Sequence, residues 1–206
     1  MDPKTVLKSL SRLTPPLLVG LVTLAHPSYT NNVSNELSRI TNDRSWLEIH
    51  ELLLVGFGLL DLSFMSIAKS LPSAWGKMVL VGAALNIVFY SAFIGIDGVS
   101  GGLLAQIGSS STNQTRGLIG YAITDLFASH LTVAIAEIGA LGWIIAGIGI
   151  FGAWSKNGVA IVPGASMLIG TVTLAFSHAP PFGPAGSLII FTALVLAIRS
   201  RVLRES

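Results

Sequence analysis

The chain has no cysteine among its 206 residues. That excludes disulfides, thiolate metal sites, iron–sulfur clusters and thiol redox catalysis, without saying which compartment the protein faces. Charge is scarce as well. Only 11% of residues are charged, and twelve basic against ten acidic side chains leave a net charge of +2. That excess is too small for a nucleic-acid footprint, so nucleic acid is excluded as the main partner. HExxH is absent, because His50-Glu51 is followed by Leu52-Leu53-Leu54. No internal repeat, low-complexity tract or domain boundary interrupts residues 1–206, which read as a single domain.

What is present is apolar: 51% hydrophobic residues and a mean hydropathy of +0.73, a composition suited to a lipid bilayer. A crossing helix needs about 20 largely apolar residues. Six stretches approach this, over residues 13–27, 46–68, 74–96, 131–154, 159–177 and 185–198. The expected fold is therefore all-α, a six-transmembrane-helix bundle, multi-pass in the cell membrane. The first stretch is the weakest, since Pro15 and Pro16 crowd its start. Leu24-Ala25-His26-Pro27 lacks a small-x-small cleavage pattern, so this stretch reads as a retained anchor rather than a secretory signal.

Six crossings put both termini on one side. Lys4, Lys8, Arg12, Lys69, Lys77, Lys156, Arg199, Arg201 and Arg204 fall on that side, and only Arg39, Arg44 and Arg116 on the other. The excess makes both termini cytoplasmic. The connections 28–45 and 99–116 are then external, each with a glycosylation sequon, at Asn32 and Asn113. Residues 117–130 either extend the fourth helix outward or lie along the interface. The abundant glycines inside the stretches read as close packing within one bundle.

Ionisable groups at membrane depth cost about 2.5 to 3.5 kcal/mol each on insertion scales, so they should face the bundle interior. His50 and Asp61 are eleven residues apart on one face of the second helix. Asn86, Tyr90, Phe93 and Asp97 form a stripe on the third, and His130 and Glu137 share a face of the fourth. The expected topology brings His26, His50, Asp97, His130 and His178 to one level near the outer boundary, with Asp125 alongside. Imidazole and carboxylate ligate Zn²⁺, Fe or Cu, and histidines facing across a bundle also hold haem, so a metal ion or haem is the sharp expectation. The plainer reading is that interfacial histidines cap helices or bond neighbouring carbonyls.

Gly98-Val99-Ser100-Gly101 matches the GxSG of rhomboid intramembrane proteases, but polar residues from Ser109 to Gln114 leave no room for the serine to open a crossing helix. These glycines read instead as a flexible turn after the third helix. Three elements taken together, His26-Pro27, Trp46 with His50, and Asp97-Gly98, resemble an uncharacterised family of small bacterial multi-pass membrane proteins with an HP, WxxxH, DG pattern. The resemblance covers about residues 13–100. It supports the helix count, singles out those residues, and implies no activity.

Three function classes follow. The first is binding or transport of a small molecule, lipid or ion in an outward-facing His/Asp cavity. The second is a membrane enzyme or redox protein with a His-ligated metal or haem. The third is an accessory subunit without chemistry of its own. Convergence of His26, His50 and Asp97 within ligand distance discriminates among them.

Overall fold

The computed structural model describes residues 3–27, 40, 45–156 and 160–200. Among these, seven helices and no strand are found, with 89% of the described residues helical. They are α1 (Pro3–Ala25), α2 (Trp46–Ala68), α3 (Ser73–Ser109), α4 (Asn113–Ala128), α5 (His130–Ser155), α6 (Ile161–Phe176) and α7 (Phe182–Arg199). Four of them, α2, α3, α5 and α7, are long and apolar enough to cross a membrane. Helix α6 is apolar but has only 16 residues, and Lys4, Lys8 and Arg12 dilute the apolar run of α1. The sequon at Asn32 and the basic residues Arg39, Arg44, Arg201 and Arg204 lie outside the described residues.

Six helices close into a ring. Helix α1 packs on α2, α2 on α3, α3 on α5, α5 on α6, α6 on α7, and α7 returns to α1. Phe57, Phe64, Trp143, Met167, Leu174 and Ile190 fill it, all at most 1% exposed. Small residues allow the helices to meet backbone to backbone. A Cβ on Gly142 would lie 2.5 Å from the Gly82 carbonyl oxygen, and one on Gly170 2.9 Å from the Ile190 nitrogen. The glycines at these contacts thus serve packing inside the chain.

Helix α3 departs most from expectation. It does not end at residue 96 but runs to Ser109, and 37 residues at 1.5 Å each give about 55 Å, well beyond the ~30 Å of a hydrocarbon core. Two π-helical stretches interrupt it, Asn86–Tyr90 and Gly95–Ser100. The expected flexible turn at Gly98–Gly101 is therefore helical, and Ser100 Oγ donates to the Gly95 carbonyl at 3.0 Å.

Residues 117–128 do not continue the fourth expected helix outward. They belong to α4, which folds back on the end of α3, with Phe127 against Gly101 and Ile119 against Gly108, while His130 opens α5. Ser129 separates α4 from α5. Its backbone is extended, and its hydroxyl accepts the Thr132 N–H at 3.1 Å, capping the new helix.

Candidate functional site

One end of the ring gathers the polar residues. His26 closes α1, His50 lies one turn into α2, Asp97 sits in the second π stretch of α3, and His178 occupies the short connection between α6 and α7. All four are buried. One ring nitrogen from each histidine lies within 4.8 Å of the others. Asp97 Oδ2 is 3.8 Å from His50 Nε2 and 4.0 Å from His178 Nε2.

The local sequence explains how each ring is held. Four residues separate Trp46 from His50, so on a helix the His50 Nδ1–H reaches the Trp46 carbonyl, at 2.8 Å. His26 Nδ1 meets the Pro27 carbonyl at 2.7 Å, where α1 has just ended. A carbonyl only accepts, so Nδ1 carries a proton in both rings, and the two Nε2 atoms turn toward each other. Those two Nε2 atoms are 3.2 Å apart. At that distance the two nitrogens share either a proton, as a hydrogen bond, or a cation lying between or beside them.

Aromatic groups brace the set. The Trp46 ring lies 4.4 Å from that of His50, and its indole N–H donates to the Gly98 carbonyl at 3.1 Å, tying α2 to the π stretch. A side chain at 98 would overlap the His50 ring, and one at 183 the His178 carbonyl, so both positions require glycine for close approach. His178 Nδ1 pairs with the Tyr90 hydroxyl at 3.2 Å, while its Nε2 has no hydrogen-bond partner among the described residues. Burial first, and then the neighbouring His26 and His50, hold the His178 imidazole well below its ordinary pKa, so it remains a neutral donor at pH 7.

The other expected site residues divide. Tyr90 joins the cluster through His178. Asn86 instead donates to the Gly139 carbonyl at 3.0 Å and joins α3 to α5. Asp61 is fully buried beside Trp143 and outside the cluster. His130 opens α5 exposed and is not part of the gathered set, and Asp125 is exposed on α4. His130 stands at the start of its helix as expected, but it is exposed and outside the cluster. Glu137 lines a cavity of about 420 Å³ that also exposes His178 and Tyr90.

No family model, no curated protein and no solved structure matches the chain. The His26, Trp46, His50, Asp97 and Gly98 side chains and backbone of the HP, WxxxH and DG elements lie together at one site.

Proposed function

We propose that this is a multi-pass cell-membrane protein that binds a divalent transition-metal ion through His26, His50, His178 and Asp97. In this reading α1, α2, α3, α5, α6 and α7 all cross the bilayer, both termini are cytoplasmic, and the site lies near the outer surface. Nine of twelve basic residues on one side support that orientation.

The carrying observation is the pair of Nε2 atoms 3.2 Å apart on rings whose Nδ1 atoms are committed to carbonyls. Metal-ligating histidines characteristically donate their other N–H to a carbonyl or carboxylate. Two ligands at about 2.05 Å from a tetrahedral ion are about 3.3 Å apart, close to that spacing. Three imidazoles and one carboxylate suit Zn, Cu, Fe or Ni better than Mg or Ca. The Asp97 distances of 3.8 and 4.0 Å close onto such an ion with a contraction of about half an ångström.

Haem fits less well. Axial nitrogens on opposite sides of one iron stand about 4 Å apart with the macrocycle between them. Here the His26 and His178 ring centroids are 4.8 Å apart, edge to face, with no slot for a macrocycle. The accessory-subunit reading needs only a proton shared between the two Nε2 atoms, and metal content separates the two readings. Protein extracted from membranes and purified without chelator should carry about one metal ion per chain, and His50→Ala should abolish it. Metal-free wild-type protein that takes up neither Zn²⁺ nor Cu²⁺ would overturn the proposal.

A further inference from the structure

The cavity beside His178 differs in kind from the larger one between α1 and α7. The latter, about 550 Å³ and walled by residues such as Leu17, Leu21, Pro184 and Leu188, offers nothing but hydrocarbon and prolines. It is a groove that ordinary acyl chains fill. The cavity of about 420 Å³ has two characters: its inner end is the hydrogen-bonded pair Tyr90 and His178, and its flanks are Phe93, Ala140 and Ala175. Its volume lies within the ~300 to 1,000 Å³ of small-molecule sites.

The entrance lies on the outside of the ring. Phe176 and Phe182 stand there with centroids 6.0 Å apart, 75% and 45% exposed, on helices read above as membrane-crossing. An entrance rimmed by exposed phenyl rings opens to acyl chains rather than to water. Glu137, on the α5 wall, is the one formally charged group of the lining. Its side chain is exposed rather than turned into the bundle interior as expected, and a carboxylate on that face of an apolar helix is expensive to insert without a partner.

We propose that this cavity admits an uncharged single-chain amphiphile from the bilayer. Its hydroxyl-bearing head lodges against His178 and Tyr90, and its chain lies along Phe93, Ala140 and Ala175. The inference rests on the metal reading in one respect: the head then lies beside the ion, and Glu137 accepts a hydrogen bond from it. Alanine at 140 and 175 is what leaves the space, so a phenylalanine at either position fills it.

The test uses the full chain in lipid nanodiscs with a photoactivatable probe, a twelve-carbon primary alcohol carrying a diazirine and an alkyne. Labelled residues are mapped by mass spectrometry, and metal content is measured on the same samples. Expected are saturable labels on the 136–140 and 175–182 segments, competed by dodecanol, and lower by about tenfold in Ala140→Phe. Ala175→Phe serves as the second variant should the first fail to assemble. Unsaturable labelling spread over the lipid-facing helices, in a protein that holds its metal, would overturn the inference and leave the metal reading standing. Saturable labelling of the cavity in a protein with no metal affinity would do the reverse.

Discussion

Gly98→Ala distinguishes a built metal centre from a chance gathering of histidines. The substitution adds one methyl group, removes no donor, and lies in a helical stretch where alanine is otherwise favourable. Yet the added carbon would occupy space held by the His50 ring. Non-bonded carbons settle at about 3.5 to 4.0 Å, so the ring must retreat by more than about an ångström or the π stretch must swing away. Overpacking of this kind costs about 1 to 3 kcal/mol of stability. Metal ligation is less forgiving, with a tolerance of about 0.2 Å in each bond. The retreating ring also strains its hydrogen bond to the Trp46 carbonyl, and the loss of such outer support costs about 10- to 100-fold in affinity. We therefore expect Gly98→Ala to fold, with a modestly lowered thermal midpoint, and to bind Zn²⁺ at least about 100-fold more weakly than wild type. Competition against a chelator of known affinity, on protein in nanodiscs, reads the difference. An alanine variant with wild-type affinity would refute the placement of His50 in the metal site.

Two further outcomes follow from the same geometry. His178 is held below its ordinary pKa in the fold, whereas the unfolded chain binds a proton near pH 6.5. The unfolded state therefore gains protons first on acidification, and metal-free protein should lose stability as pH falls below about 6.5, by up to about 1.4 kcal/mol per pH unit from this one group. Thermal midpoints between pH 8 and pH 5 check this, and an equal slope in His178→Gln would contradict it. Separately, Gly142→Leu should lower the midpoint sharply, since a side chain there meets the Gly82 carbonyl and the Asn86 nitrogen and forces α3 from α5. The cost is about 1 to 3 kcal/mol or more. An unchanged midpoint would count against the α3–α5 contact.

Much of the helical arrangement was legible because apolar runs of crossing length are hard to mistake, and α2 and α5 match the expected ranges within a residue. The gathering of His26, His50, Asp97 and His178 at one end of the ring was legible too, since helix ends alternate between two ends of the bundle. Face was harder to read than level. A stripe drawn at 3.6 residues per turn misjudges a helix that widens twice into π turns, so Asn86 and Asp97 serve different neighbours despite their spacing. His130 opens its helix as expected but lies outside the cluster, because the break at Ser129 turns α5 independently of α4. The length of α3 was hidden by the glycine and serine content of residues 98–111, which reads as loop. Here the fold-back of α4, through Phe127 and Ile119, supplies the packing that keeps this stretch helical.

The ring is closed by its first and last members, α1 against α7, and the ligands come from both ends of the chain. During synthesis, a half-inserted chain would hold His26 and His50 but lack the third imidazole until α6 and α7 arrive. Under the proposed function, ion capture would wait for the final hairpin to dock. A chain stalled before residue 178 would lack α7 as well, leaving the ring open along α1 and the cluster one imidazole short.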